Sequence, residues 1–189
     1  MTEKEVLEIF EKSGALLKGH FKLSSGLHSG KYLQCALVLQ YPAVAEGLSK
    51  AIAGNFSTQK IDIVIGPALG GVTLAYEVAR AIGVRGLFTE RQAGAMVLRR
   101  GFSISKGEKV LVVEDVVTTG GSTKEVIDLV KFFGADVVGV SSVIDRSGCD
   151  IDFGAPFKPL ARIKVETFEE DRCPLCKEHI PITKPGSRS

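Results

Sequence analysis

The sequence predicts an α/β domain built on a mainly parallel, doubly wound sheet. Four short apolar runs recur along the chain: residues 61–65, 84–88, 110–113 and 137–144. Stretches with apolar residues at helical spacing follow two of these runs and end at Gly83 and Gly134, as helices often do. Continuous apolar strands that alternate with helices are typical of parallel sheets covered on both faces.

Length and composition narrow the class of protein. We expect the 189 residues to form one domain, and 24 basic against 22 acidic residues argue against a dedicated nucleic-acid binder. No apolar run approaches the roughly 20 residues of a membrane span, and the N-terminus lacks the profile of a signal peptide. Four cysteines, of which only two are close in sequence, do not indicate a secreted disulfide framework. We therefore expect a cytoplasmic protein that binds neither nucleic acid nor membranes.

The first part of the chain mixes helix signals with turns. Thr2 and Glu5 have the spacing of a capping box, which predicts a helix over residues 3–13. Turns rich in glycine and serine follow, and the apolar character of residues 31–39 predicts a strand. A further helix is expected to begin at Pro42.

Two regions interrupt the alternation of strands and helices. The stretch of residues 89–107 indicates a long hairpin or a mobile loop, and it contains three arginines: Arg91, Arg99 and Arg100. From Pro156 onward the chain holds five of its seven prolines. We expect this part to wrap around the domain and to end in a surface tail, residues 170–189.

The most informative segment joins the third apolar run to the helix after it. Its strand delivers Glu114 and Asp115 to the carboxyl end, where ligands bind in open parallel sheets. A loop of hydroxyl residues and glycines, residues 118–122, then opens a helix, which Ser122 can cap together with Glu125. The backbone N–H groups of such a loop, its hydroxyls and the helix N-terminus suit a phosphate monoester.

The two acids need a separate explanation, because a carboxylate beside a phosphate repels it. Glu114 and Asp115 are explained if they hold sugar hydroxyls or Mg²⁺. A ligand with a 5-phosphate at one end and vicinal hydroxyls at the other satisfies both halves of the segment. The alternative is a strand-to-turn junction in which the acids only solvate the sheet edge and the glycines make the bend.

A second glycine-rich turn, residues 66–71 (GPALGG), also follows a strand and opens a helix. It is close to a Walker A loop, but Val72 stands where that motif requires a lysine, so an NTPase is excluded. The glycine spacing also differs from that of dinucleotide-binding folds. The turn is then either a backbone cradle for an anion or a purely structural bend.

Together these segments resemble the signature of type I phosphoribosyltransferases, which use 5-phosphoribosyl 1-diphosphate (PRPP). The resemblance implies the fold of that family, with a small N-terminal hood, a mobile catalytic loop and Mg²⁺ held through PRPP and the acid pair. It implies that PRPP is bound by Glu114, Asp115, Val116, Val117, Thr118, Thr119, Gly120, Gly121 and Ser122. It implies a pyrophosphate loop made of Ala68, Leu69, Gly70 and Gly71. Glu114 is a departure, since many members carry aspartate there.

An early segment resembles the N-terminal signature of orotate phosphoribosyltransferases, and the matching residues are Phe21, Leu23, Ser25, Gly26, Ser29 and Tyr32. With the other segments the resemblance covers about residues 15–148. It implies transfer of ribose 5-phosphate to orotate, a base-binding hood at about residues 1–40 and a homodimer. The implied contacts to orotate come from Thr118, Arg146, Ser25 and Gly26. Many members carry a lysine where this chain has Ser24, and an ordinary Ser/Gly turn is the alternative for the segment.

Arg146 is the candidate for recognition of the base. Orotate carries a carboxylate, so its pocket should contain a cation. Arg146 follows a predicted strand and is placed by the topology to meet that carboxylate in a bidentate fork. Otherwise it could pair with Asp145 or Asp150 at the surface.

The catalytic loop departs most from the family pattern. The resemblance implies that Arg91 and Asp115 take part in catalysis, with Arg91 on the mobile loop. The lysines and histidine typical of that loop have no clear counterparts in residues 90–101, and Arg99 or Arg100 could supply the charge instead.

The tail contains a Cys-x-x-Cys motif with a histidine nearby: Cys173, Cys176 and His179. Zinc is one interpretation, but a structural site needs four ligands, so Cys149 or a partner subunit would have to complete it. The alternative is a proline-bent segment with buried thiols. His20 and His28 are expected to be turn or surface residues.

Two rival functions remain open. A phosphoribosyltransferase that acts on a purine or on uracil would keep the PRPP segment but should lack the orotate signature and Arg146. A PRPP sensor that regulates transcription should add a basic helix-turn-helix or an RNA-facing surface, and neither stands out in the sequence.

Overall fold

A helix, a β-hairpin and two further helices begin the chain in the computed structural model, which describes residues 1–23 and 25–185. These elements are α1 (Glu3–Lys12), β1 (Leu16–Lys22), β2 (His28–Leu33), α2 (Ala36–Leu39) and α3 (Pro42–Asn55). Strands β1 and β2 are antiparallel and form a small hood beside the main sheet.

The hydrogen bonds at the start of α1 confirm the predicted capping box. The Thr2 hydroxyl accepts a bond from the Glu5 N–H, and the Glu5 carboxylate accepts one from the Thr2 N–H at 2.7 Å. The strand predicted over residues 31–39 is wrong beyond Leu33, where the chain turns into α2. An apolar run of this length fits either a strand or a buried helical turn, and here the helical turn buries Val38.

A six-stranded sheet with helices on both faces forms the rest of the domain, as the sequence predicts. Its elements are β3 (Ile63–Pro67), α4 (Gly70–Ile82), β4 (Arg85–Gln92), β5 (Ala95–Leu98), β6 (Lys109–Val117), α5 (Gly121–Phe132), β7 (Asp136–Asp145) and β8 (Ala161–Arg162). The strand order is β5-β4-β3-β6-β7-β8, and all neighbouring strands are parallel except β4 and β5. The stretch after Thr89 is therefore a hairpin, whose turn residues Ala93 and Gly94 have φ angles of 48° and 87°.

Two apolar clusters, one on each side of the sheet, make up the core. The first joins the helices α3 and α4 to the sheet through residues such as Leu48, Leu74 and Leu111. The second joins α5 to the sheet through Val126, Val130 and their neighbours. Burial on both faces explains why β3 and β6 are almost continuously apolar.

The direction in which the chain winds reverses between β3 and β6. From β3 the chain passes through α4 to β4 on one side, and from β6 it passes through α5 to β7 on the other. This reversal leaves a crevice outside the carboxyl ends of the two strands, where ligands bind in open α/β sheets. Both glycine-rich turns and the acid pair lie at this crevice.

The segment after Pro156 adds an edge strand to each sheet. Strand β8 pairs with β7, and the chain then passes through a short 3-10 helix (Glu170–Arg172) and α6 (Pro174–Lys177). The last strand, β9 (Ile182–Thr183), lies parallel to β1 in the hood. Among the described residues, no helix is both long and apolar enough to cross a membrane.

Candidate active site

Two adjoining cavities, of about 410 and 790 Å³, occupy the crevice. Five residues line both of them: Arg91, Glu114, Val116, Thr118 and Ser122. The smaller cavity lies over the start of α5, and the larger extends between the second glycine-rich turn and the hood. Their size suits a small organic ligand.

The smaller cavity has the backbone geometry of an anion cradle. Gly120 enters α5 with φ 75°, a left-handed conformation that favours glycine, and the first N–H to bond back into the helix is that of Lys124. The predicted capping by Ser122 is wrong: the N-cap is Gly120, and no side chain of the described residues caps this helix. The N–H groups of the first turn thus have no partner within the helix, which leaves them open to a phosphate.

The acid pair lies between the two turns, at the carboxyl end of β6. The Glu114 carboxylate accepts a hydrogen bond from the Thr123 hydroxyl at 3.3 Å. Burial raises the pKa of Asp115 above its ordinary value, while hydrogen bonds from the Val116 N–H and its own N–H act against this rise. A desolvated carboxylate gains from any hydroxyl or cation that reaches it.

The second glycine-rich turn is packed directly against the acid pair. A Cβ on Gly70 would lie 2.6 Å from Asp115 Oδ1, and one on Gly66 would lie 2.7 Å from the Gly71 carbonyl oxygen. A side chain at Gly66 would meet backbone, whereas one at Gly70 would displace the Asp115 carboxylate. The peptide bond between Ala68 and Leu69 is cis. No side chain of the described residues caps α4, so this turn is a second backbone cradle.

Arg91 connects the β4–β5 hairpin to the anion cradle. Its Nη2 lies 2.8 Å from Glu125 Oε2 on α5, and its Nη1 donates to the Gly94 carbonyl oxygen. The side chain lines both cavities. Arg100 instead makes a bidentate pair with Glu90, at 2.8 and 2.9 Å. In the single chain, then, Arg91 is the hairpin arginine that faces the crevice.

Arg146 lies half-buried in the larger cavity, beyond the end of β7. Burial lowers the pKa of its guanidinium, although Tyr32 and Cys35 partly oppose this effect. Within residues 1–23 and 25–185, no carboxylate forms an ion pair with Arg146, and Asp145 pairs with Arg162 at 3.2 Å. The alternative, a surface pair with Asp145 or Asp150, is thus wrong, and the cation lines the cavity without an ion-pair partner among the described residues.

Most residues of the early signature build the hood rather than line the cavity. Phe21 packs against Tyr32 with ring centroids 5.7 Å apart, and the Ser29 hydroxyl donates to the Glu166 carbonyl oxygen at 2.9 Å. Ser25 and Gly26 are exposed in the turn between β1 and β2. Ser24 lies outside the described residues.

Several cavity residues were not singled out by the sequence analysis: Lys22, Leu33, Thr73, Met96 and Lys184. They come from the hood, α4, the hairpin and the chain after β9, so only the tertiary fold brings them together. Lys22 could have been found as the polar neighbour of signature residues. No local signal marks Lys184.

Comparison with known proteins identifies the family. The model of the phosphoribosyl transferase domain matches residues 37–152. An orotate phosphoribosyltransferase of Caldanaerobacter subterraneus subsp. tengcongensis is 60% identical over 188 residues, covering 100% of this chain and 99% of that protein. The crystal structure of orotate phosphoribosyltransferase from Aeropyrum pernix is 26% identical, with a TM-score of 0.67 over 83% of this chain and 93% of that one.

The fold itself is shared by enzymes for other bases. Adenine phosphoribosyltransferase from Rhodothermus marinus DSM 4252 is 18% identical, with a TM-score of 0.67 over 85% of this chain and 99% of that one. Structural similarity at 18% sequence identity shows only that the fold is shared. A sequence identity of 60% over the full length shows membership of the same family. The chain belongs to the phosphoribosyltransferase family, in the branch of the orotate phosphoribosyltransferases.

Proposed function

We propose that the chain transfers ribose 5-phosphate from PRPP to orotate in a Mg²⁺-dependent reaction of pyrimidine nucleotide synthesis. The products are orotidine 5-monophosphate and pyrophosphate. The observation that carries this proposal is Arg146, which lines the same cavity as the acid pair and has no carboxylate partner in the described part of the chain. A base that brings its own carboxylate supplies that partner.

PRPP is held by the crevice from both sides. Its 5-phosphate binds the loop of residues 118–122, where N–H groups and hydroxyls converge on the uncapped start of α5. Its ribose hydroxyls bind Glu114 and Asp115, and its pyrophosphate lies against the turn that includes Gly70. Positioning of this kind supplies much of the rate enhancement when two substrates must meet.

The acid pair also fits Mg²⁺. Carboxylate oxygens are the ligands that this ion prefers, and Glu114 and Asp115 line the larger cavity together with Gly70 of the second turn. Glu114 and Asp115 would hold the ion together with PRPP, directly or through water. When bound, Mg²⁺ supplies positive charge that stabilises the leaving pyrophosphate.

In the reaction, the bond from ribose C1 to the pyrophosphate oxygen breaks and the bond from C1 to N1 of orotate forms. Positive charge develops on the ribose. The Asp115 carboxylate, which lines the larger cavity, stabilises this charge. Negative charge grows on pyrophosphate, where the N–H groups around Gly70 act as fixed donors and Arg91 adds positive charge once the hairpin has closed. Arg146 orients orotate through its carboxylate in a planar fork.

We further propose that the enzyme is a cytoplasmic homodimer whose β4–β5 hairpin is the mobile loop. The Arg91 to Glu125 contact would open and re-form as the hairpin closes over bound PRPP and excludes water. The thiol of Cys35 lies buried beside Asp115, and the reducing cytoplasm keeps such a thiol free.

An absorbance assay tests the proposed function. Orotate consumption is followed with PRPP and Mg²⁺, beside parallel reactions with uracil, adenine and hypoxanthine. We expect loss of the orotate signal only when both PRPP and Mg²⁺ are present. Turnover of another base in place of orotate would contradict the proposal that Arg146 binds the orotate carboxylate. PRPP binding without turnover of any base would favour a PRPP sensor.

A further inference from the structure

Four metal-binding side chains that are far apart in sequence meet beneath the hood. His20 lies on β1 and His28 at the start of β2, while Cys173 is the N-cap of α6 and Cys176 lies within that helix. Their ligand atoms all lie within 4.8 Å of one another. Three of the four side chains are buried, so the expectation that the two histidines are turn or surface residues is wrong.

The spacing of these atoms fits a tetrahedral site. His20 Nε2 lies 3.0 Å from His28 Nδ1 and 3.6 Å from Cys173 Sγ, and Cys176 Sγ lies 3.3 Å from His28 Nδ1. Zinc bonds of about 2.3 Å to sulfur and 2.0 to 2.1 Å to nitrogen give a tetrahedron with edges of roughly 3.3 to 3.8 Å. All four ligand atoms lie within 4.8 Å of one another, so the longest separation has to shorten by at most about 1 Å for the side chains to bind one ion.

The protonation of the histidines points the same way. His20 Nδ1 lies 2.8 Å from the Ile180 carbonyl oxygen, so this nitrogen carries the proton and Nε2 offers a lone pair to the cluster. His28 Nε2 is buried without a hydrogen-bond partner in the described part of the chain, and it faces Glu170 Oε2 at 4.0 Å. A proton on that nitrogen leaves His28 Nδ1 as a second lone pair. Two nitrogens and two sulfurs then converge on one point, an arrangement that a cation satisfies when both imidazoles carry their protons on the outer nitrogens.

We propose that His20, His28, Cys173 and Cys176 form a closed structural zinc site that fastens the C-terminal tail to the hood. Two thiolates and two imidazoles in tetrahedral array select zinc among the common divalent ions. His179, the histidine nearest in sequence to the motif, is exposed and takes no part. The fourth ligand therefore needs neither Cys149 nor a partner subunit.

The site fixes one wall of the larger cavity. Lys22 and Tyr32, on the two hood strands that carry the histidines, line that cavity, as does Lys184 in the tail. Strand β9 lies beside His20 on β1, so tail and hood move as one unit when the ion is bound. The zinc proposal does not depend on which base the enzyme uses.

Metal analysis of the purified full-length protein is the first test. We expect one zinc ion per chain by mass spectrometry of the elements, and its loss in Cys176→Ser and in His28→Gln. The matched controls are Cys149→Ser, which removes an exposed thiol, and His179→Gln, which removes the neighbouring histidine. Both controls should keep the full zinc content.

A second measurement needs no variant and so does not depend on whether the variants fold. Wild-type protein is stripped with a chelator and loaded with Co²⁺, which should give the visible spectrum of a tetrahedral ion with thiolate ligands. Chelation should also lower the thermal midpoint of the wild type. Absence of zinc together with absence of the Co²⁺ spectrum would overturn the proposal. So would a native Cys173–Cys176 disulfide, or zinc that is kept by Cys176→Ser and lost from His179→Gln.

Discussion

At the scale of single residues, the crevice holds two charged side chains in poorly solvated positions. Burial raises the pKa of Asp115 and lowers that of Arg146, so each is more costly to keep ionised than it would be in water. A ligand that brings a cation to Asp115 and an anion to Arg146 offsets these desolvation costs, which adds to its binding free energy. Function and stability therefore oppose each other at these positions.

Replacement of Asp115 by asparagine should raise the thermal midpoint at neutral pH while it abolishes activity. A carboxyl whose folded pKa is raised stabilises the fold fully only when protonated, and this stability is lost as the pH rises through the raised pKa. The gain in Asp115→Asn should accordingly shrink as the pH falls below that value. Thermal melts of the wild type and Asp115→Asn, from neutral to acid pH, measure this difference in midpoint.

Asp62→Asn is the matched control for Asp115→Asn. The Lys109 N–H donates to Asp62 at 2.9 Å and lowers the pKa of that carboxyl. The sign is therefore opposite: Asp62 stabilises the fold above its unfolded pKa, and Asp62→Asn should lower the midpoint at neutral pH. Equal effects of the two variants would contradict the assignment of Asp115 as a desolvated acid.

At the scale of elements, two turns and one hairpin carry the chemistry. The two helices α4 and α5 begin beside each other without side-chain caps in the described residues, so each presents free N–H groups to the crevice. The hairpin brings Arg91 over the same place. Each of these elements is encoded by neighbouring residues in the sequence, so each could be predicted from local sequence pattern.

Gly70→Ala should lower the affinity for PRPP strongly with little loss of the fold. The added Cβ would meet the Asp115 carboxylate, which must swing away from its position in the crevice. Gly54→Ala is the control, because nothing lies within 4 Å of a Cβ there. It should be neutral or stabilising by about 0.5 to 1 kcal/mol, the usual gain of alanine over glycine in a helix. PRPP titration by calorimetry and thermal melts separate the two effects, and equal PRPP affinity in both variants would contradict the close packing.

Arg91→Gln should lower kcat by about 10²-fold, the usual cost of removing one donor that stabilises developing negative charge. Arg85→Gln is the control at the opposite end of β4, where Arg85 pairs with Glu108 at 2.6 Å. Steady-state rates with saturating PRPP and orotate measure both. An unchanged kcat in Arg91→Gln would contradict this prediction and would indicate that Arg99 or Arg100 stabilises the leaving pyrophosphate instead.

At the scale of the whole molecule, local pattern predicted the mainly parallel sheet and the acid pair at the carboxyl end of its strand, but not the contacts made by the tail. His20 and Cys173 are separated by about 150 residues, and neither histidine carries a local metal motif. The Ser122 cap was wrong for a different reason: glycine at 120 lets the chain enter the helix two residues earlier. Long-range pairing and left-handed backbone are the two features that spacing alone does not reveal.

The proposed function assigns the base specificity of the larger cavity to the carboxylate of orotate. Arg146 is the cation that would recognise it, and hydrogen bonds to a charged group are worth about 1.5 to 3 kcal/mol each. Removal of that cation should lower kcat/KM for orotate much more than kcat/KM for uracil, because uracil has no carboxylate. Arg80→Ala, a surface arginine that pairs with Glu77, serves as the control.

The most direct test is kcat/KM for orotate and for uracil, each measured in the wild type, Arg146→Ala and Arg80→Ala. We expect Arg146→Ala to lower the ratio of orotate to uracil activity by about 10- to 100-fold, which corresponds to that free energy at 1.4 kcal/mol per decade. Arg80→Ala should leave the ratio unchanged. An unchanged ratio in Arg146→Ala would contradict the assignment of the base site.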